Sequence, residues 1–200
     1  SLRAYGNTAL IVGLNDHSGE QGVTLVEPSA DDDSNTTEVS ESPTQGVEAV
    51  DLGLSVKWAT CNIGAARPSD SGYYYAWGET SPKSSYTSSN YTYSSNPTTL
   101  PLNRDAVAVN WGDNWRMPTL NEIKELKEKC KWTWTGRGYT VTGPNGNSIF
   151  LPVTGYRSRG RLYYAGSSGN YWSSSLYESN PYYAWYLYFD SSYYYTRYDY

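Results

Sequence analysis

The chain predicts a β-rich α+β domain with one clear helix and long loops. Three observations carry this. A single stretch combines a capping box with apolar residues at helical spacing. Short alternating apolar runs recur between Gly, Pro and Asn turn signals. The segments that join them are rich in Gly, Ser and Asn and have no periodicity.

Along the chain, residues 8–14 (TALIVGL) and 21–27 (QGVTLVE) flank the polar turn NDHSGE and predict a β-hairpin. Residues 1–27 are thus read as the end of a preceding module or as an added edge, since a lone hairpin is marginal. Residues 28–48 are read as a flexible acidic linker, with no aromatic and no basic side chain. The main domain occupies residues 49–200. Its opening, Val50 to Ala59 (VDLGLSVKWA), alternates as a strand near the core. Residues 80–105 hold several breakers and predict a long loop, of the kind that often carries function.

Thr119 as N-cap and Glu122 as its capping-box partner start the helix, and Leu120, Ile123, Leu126 and Cys130 share one face. Lys127, Lys129 and Lys131 suit its C-terminal dipole better than a binding patch. Tyr139–Thr142 and Ser148–Leu151 flank Gly143-Pro144-Asn145-Gly146-Asn147 and predict a hairpin. From Tyr183 the chain alternates. Tyr183, Trp185, Leu187 and Phe189 form the expected core face; Ala184, Tyr186, Tyr188 and Asp190 form an expected exposed face that meets a ligand.

The composition is unusual in its aromatics: 22 Tyr and eight Trp against two Phe and one Met. Thirteen of the last 38 residues are Tyr, interleaved with Ser, Asn, Gly and Asp. Each buried phenol needs a hydrogen-bond partner, so a core does not favour this mixture, whereas a recognition surface does. Tyrosine ladders also brace antiparallel strands. Within Tyr193-Tyr194-Tyr195 at least one ring must therefore face inward.

Reactive groups are sparse. The single histidine, His17, lies in the N-terminal turn, far in sequence from any nucleophile of the main domain. There is no zinc spacing, P-loop or G-x-G-x-x-G, and Asp31-Asp32-Asp33 lacks the rest of an EF-hand loop. No cofactor and no metal are expected. Glu79, Asp113 and Glu178 remain open as a glycosidase-type carboxylate pair. Cys61 and Cys130 permit one disulfide or two buried free thiols.

The net charge of −5 is divided unevenly: residues 1–56 hold ten acidic and one basic side chain, residues 57–200 fourteen basic and ten acidic. That scattered excess argues against nucleic acid as partner. No apolar run is long enough to span a membrane, so no membrane insertion is expected. The chain opens at Ser1 without an apolar leader and reads as a piece of something longer.

Several segments together resemble the Fibrobacter succinogenes major paralogous domain family, common in gut Bacteroidetes. They are Val50 to Ala65 (VDLGLSVKWATCNIGA), Tyr75 to Thr80 (YAWGET), Trp115 to Thr119 (WRMPT), Val141 to Pro152 (VTGPNGNSIFLP) and Tyr171 to Ser175 (YWSSS). The resemblance spans about residues 49–190. It implies a C-type-lectin-like fold, in the branch that includes the formylglycine-generating enzymes, at a cell surface or secreted. It does not imply their catalysis, because no cysteine follows Cys130. Calcium-dependent sugar binding is not implied either, since Glu178-Ser179-Asn180-Pro181 and Ala184-Trp185-Tyr186 match that lectin pattern only loosely.

The same fold resembles the variable proteins of diversity-generating retroelements, in which adenine-directed copying randomises codons near the C-terminus. That resemblance implies ligand contacts at Tyr177, Tyr182, Tyr183, Tyr186, Tyr188, Asp190, Ser192, Tyr193, Tyr195, Arg197 and Asp199. Relatives continue into a further strand ending near Arg-Pro-Val, which leaves the last strand here either truncated or supplied otherwise. The expected function is non-enzymatic binding of a protein or glycan, on a bacterial surface or a phage tail fibre. A formylglycine-generating-like or glycosidase-like enzyme and a stalk or pilus subunit are the alternatives.

Overall fold

A computed structural model describes residues 7–9, 12–13, 47–112 and 114–198. The domain is strand-rich, with small, mostly antiparallel sheets and one ten-residue helix, as the β-rich α+β reading expects. Strands β12 (Gly169–Leu176), β13 (Ala184–Phe189) and β14 (Tyr194–Tyr198) form successive antiparallel neighbours. Beyond β12 lie β1 (Asn7–Ala9), which pairs with it in parallel, and β5 (Tyr74–Tyr75). A second sheet runs β3 (Ala49–Val50), β4 (Lys57–Ala59), β2 (Val12–Gly13), β6 (Trp115–Arg116). A third is β7 (Lys131–Trp134), β8 (Gly138–Thr142), β9 (Ser148–Pro152), and β10 (Tyr156–Ser158) pairs with β11 (Arg161–Tyr163).

The described residues at the first strand of the expected N-terminal hairpin fall into two short strands that join different sheets. β1 lies between β12 and β5, and β2 between β4 and β6. Residues 21–27 and His17 lie outside the described residues, as does the stretch from Pro28 to Gly46.

The helix forms where its signals stand. α2 (Leu120–Lys129) has Thr119 as N-cap, and Thr119 and Glu122 satisfy each other's backbone N–H groups in a complete capping box. Ile123, Leu126 and Cys130 are buried on its inner face. The Arg116 guanidinium donates through Nη1 to Glu122 Oε2 at 2.8 Å and through Nη2 to Oε1 at 2.6 Å, a two-pronged bond that ties β6 to the start of α2. Burial pushes the Glu122 carboxyl up, but the Arg116 and Thr119 hydrogen bonds outweigh it and leave the group below its ordinary range.

A shorter helix, α1 (Ala106–Trp111), escapes the sequence reading because its six residues carry too little periodicity to detect. Asp105 caps it, accepting from the N–H groups of Val107 at 2.9 Å and Ala108 at 3.1 Å, while its other oxygen takes Met117 N–H at 2.9 Å. Burial raises this carboxyl above its ordinary value despite those three donors.

Val50 to Ala59 is not one continuous strand. Bends separate β3 from β4, yet Leu52, Val56 and Trp58 are buried in the expected alternation. Asp51 explains the break. Its carboxylate accepts Gly53 N–H at 2.7 Å, and its carbonyl accepts the side-chain amides of Asn145 at 2.9 Å and Asn147 at 2.8 Å. The predicted β8–β9 hairpin turn thus docks on the first motif. Residues 80–105 form the expected long loop, which carries two short 3-10 turns, Ser88–Asn90 and Leu102–Arg104, and buries Tyr86, Tyr93 and Leu100.

Two cores flank β12 and β13. One gathers Leu52, Trp58, Ile123, Leu126, Val141 and Leu151 against Tyr171, Leu187 and Phe189. The other gathers Tyr75, Trp77, Tyr93, Val107 and Met117 against Trp172, Ala184 and Tyr186. Their rings carry hydrogen bonds between layers: Tyr171 Oη donates to Pro152 O at 2.7 Å, Trp172 Nε1 to Tyr75 O at 2.9 Å and Trp77 Nε1 to Ser173 O at 2.9 Å. Gly169 is required by this packing, since a Cβ there would lie 2.1 Å from the Phe189 ring.

The Arg116–Glu122 pair gives a pH-dependent prediction. A carboxyl whose folded pKa is depressed stabilises the fold above its ordinary value of 4.5, and this contribution is lost as pH falls through the folded value. Glu122→Gln should therefore cost about 2 kcal/mol at neutral pH. In urea melts the gap to wild type should close as pH drops below 4.5.

Candidate functional site

The C-terminal hairpin is set by Asp190. Its Oδ1 accepts the backbone N–H groups of Ser192 at 2.8 Å and Tyr193 at 3.0 Å, and its own N–H donates to Tyr193 O at 2.9 Å. This turn fixes the register of β14 on β13, with Tyr188 opposite Tyr195 and Tyr186 opposite Arg197. Opposed residues share a face, so the register assembles a patch. The Tyr188 and Tyr195 rings lie 5.1 Å apart, the Arg197 guanidinium sits 5.9 Å over Tyr188, and Tyr188 Oη donates to Asp190 Oδ2 at 3.3 Å. Burial, then the nearby Asp190 and Tyr195, push the Tyr188 phenol up. Tyr193 stands at the hairpin tip, 66% exposed, with the exposed Ser192 beside it.

Tyr186 and Tyr183 do not belong to that patch. Both were expected as ligand contacts, and both are buried, at 9% and 7% exposure. Tyr186 lies edge-on to Trp172, 5.7 Å between centroids at 80°, within the second core. Ala184, expected outward, is buried in the same core. Of the expected exposed face, Ala184 and Tyr186 are buried because the second core covers that part of β13, whereas Tyr188 and Asp190 are half-exposed. Trp185, assigned to the core, is only half-buried. Leu187 and Phe189 are buried as expected.

No ring of the triple tyrosine is buried as expected: Tyr194, stacked on Trp132 at 4.5 Å and 8°, is as exposed as Tyr195, at 37% each. Tyr177 belongs to a second aromatic group, with Tyr198 stacked on it at 3.8 Å and Trp185 edge-on to both. Tyr198 was missed: only the register places it opposite Trp185. Tyr182 is 65% exposed in the β12–β13 connection, and Asp199 lies outside the described residues.

Beside the second group, a cleft of about 400 Å³ opens between the start of α2 and the β12–β13 connection. Tyr177, Glu178, Trp185, Thr98, Thr99 and Asn121 are among its lining residues. Thr98 and Thr99 arrive there because residues 98–100 run along β12, with Leu176 N–H donating to Thr98 O and Leu100 N–H to Ser174 O, both at 2.9 Å.

Of the carboxylate candidates, the two that are described, Glu79 and Glu178, line different hollows. Glu79 is buried, paired with Lys83 Nζ at 2.5 Å, and accepts from Thr92 N–H at 2.8 Å and Thr92 Oγ1 at 3.0 Å. It lines a separate hollow with Lys83 and Arg104, whereas Glu178 lines the cleft, and Asp113 lies outside the described residues. Cys61 and Cys130 are buried free thiols, not a disulfide. Burial pushes both thiols up, Cys130 to about 11. Among the described residues no group of three His, Cys, Asp or Glu side chains could hold a metal ion, and no helix is long and apolar enough to cross a membrane.

The model of a domain family of unknown function, DUF8237, matches residues 134–200. The match contains the hairpin, its aromatic patch and the Tyr177–Trp185–Tyr198 group. No curated protein and no solved structure matches the chain.

The division between buried and displayed rings can be measured. Tyr186→Ala should cost about 3–5 kcal/mol, as large aromatic truncations in cores do. Tyr193→Ala should change stability by less than about 0.5 kcal/mol. Equal effects in denaturant titrations would contradict the burial of Tyr186.

Proposed function

We propose that the chain is a non-enzymatic recognition domain of the C-type-lectin-like class that binds a protein partner through its C-terminal hairpin. The observation that carries the reading is the patch of Tyr188, Asp190, Tyr193, Tyr195 and Arg197 on an edge hairpin. Tyrosine and arginine are the residues that most often dominate binding energy, and the patch holds them on a strand rather than a floppy loop. The side chains are partly ordered by one another before any partner arrives, which lowers the entropic cost of binding. The separation of Glu79 from Glu178 supports binding over glycosidase chemistry.

The segments that resemble the Fibrobacter succinogenes major paralogous domain family serve as joints of this fold. The WRMPT segment clamps α2, the GPNGN turn docks on Asp51, and Trp77 of the YAWGET segment bonds to Ser173 of YWSSS. This supports a family of shared scaffold and variable display, exported to a bacterial surface or carried on a phage fibre. Adenine-directed codon change accounts for the Tyr, Ser, Asn and Asp bias of the displayed positions.

Labelled domain should bind cells bearing the partner saturably, and Tyr193→Ala with Tyr195→Ala and Arg197→Ala should weaken this at least tenfold while near-ultraviolet circular dichroism stays native. Unchanged binding would sink the proposal. The encoding DNA should carry a nearby near-copy of its 3′ segment that differs at adenines. Codons for Tyr193, Tyr195 and Arg197 should be among the altered ones, and those for Leu187 and Phe189 should not.

A further inference from the structure

We infer that the cleft between the start of α2 and the β12–β13 connection is a second binding site, and that it takes a neutral saccharide. Its volume of about 400 Å³ lies in the range of small-ligand sites. The cleft is a separate place from the Tyr188–Arg197 patch, so the inference does not depend on the hairpin's role.

Its lining combines two chemistries. The aromatic part is Trp185 and Tyr177, with centroids 5.4 Å apart at 82°. Tyr198 braces both rings, stacked on Tyr177 at 3.8 Å and edge-on to Trp185 at 4.9 Å. Rings held in this way lose little freedom when a ligand lies against them. The polar part of the lining is Thr98, Thr99, Asn121, Glu178 and Ser179. None of these five side chains makes a hydrogen bond to a described residue.

The structural polar groups of the cleft are, by contrast, already committed. Thr119 Oγ1 accepts Glu122 N–H at 3.3 Å, and Ser175 Oγ accepts Leu120 N–H at 3.0 Å. These bonds hold the floor of the cleft in place. The unengaged groups are all on exposed residues.

A sugar ring offers an apolar face of C–H groups and a fan of hydroxyls that donate and accept together. The aromatic part suits the first. Hydroxyls, an amide and one carboxylate suit the second, because each can accept or donate to a hydroxyl. Among the described lining residues Glu178 is the one that carries a charge at neutral pH, so a phosphorylated, sulfated or acidic sugar is disfavoured. A cationic peptide would satisfy Glu178 but leave the hydroxyls and the amide without a use.

Nitrogen-15-labelled domain should be titrated with the methyl glycosides of glucose, galactose, mannose and N-acetylglucosamine. The signals to follow are the Trp185 indole N–H and the Asn121 side-chain amide. At least one glycoside should shift both at millimolar concentration. Glu178→Ala and Asn121→Ala, both at exposed positions, should weaken that binding about tenfold, the worth of a hydrogen bond to a charged or polar group. Tyr193→Ala should leave it unchanged. The inference is overturned if no glycoside moves these signals, if the shifts map to the Tyr188–Arg197 patch, or if N-acetyl-lysine amide moves them and the glycosides do not. Loss of cell binding in the hairpin variant with glycoside binding intact strikes the hairpin reading alone.

Discussion

Strands β12 and β13 are covered on both faces, and this constraint shapes everything around them. Tyr171, Leu187 and Phe189 point into one core, Trp172, Ala184 and Tyr186 into the other. Such a strand pair displays few side chains: on β13 only Trp185 and Tyr188 are half-exposed. Display is therefore pushed outward to β14, to the Asp190 turn and to the β12–β13 connection. The aromatic patch and the cleft lie in those places.

Two cores built from tyrosine and tryptophan rather than phenylalanine need polar wiring. The structure supplies it through backbone carbonyls: Pro152 for Tyr171, Thr154 for Tyr74, Tyr75 for Trp172 and Ser173 for Trp77. Each bond joins segments far apart in the chain, so the rings act as cross-braces as well as apolar filling. Tyr75 Oη and Trp58 Nε1 are the exceptions, buried with no partner among the described residues. A composition that suggests only a surface thus also serves an interior, and the same residue type is split between the two tasks by position.

Much of the local architecture was legible. The Thr119–Glu122 capping box and the spacing of Ile123, Leu126 and Cys130 located the helix, because both signals act within a few residues. The GPNGN turn located the β8–β9 hairpin for the same reason. The Val50–Ala59 alternation predicted which side chains are buried, although not the bends that Asp51 imposes. In the last segment the period of two was right and the exposure was not. Tyr186 was read as outward because a two-sided strand has the same alternation as a half-buried one, while Tyr183 is buried as its place on the expected core face requires.

The sequence by itself determined the class, the helix, the hairpin turns and the fact that a tyrosine-rich end needs a purpose, since caps, turns and strand period are short-range effects. Only the tertiary structure decided which rings serve that purpose. The register set at Asp190 joins Tyr188 to Tyr195 and Arg197, and the stacking of Tyr198 on Tyr177 joins residues 21 positions apart. Those pairings depend on which strands become neighbours and on what covers each face, and both are products of the whole chain's packing.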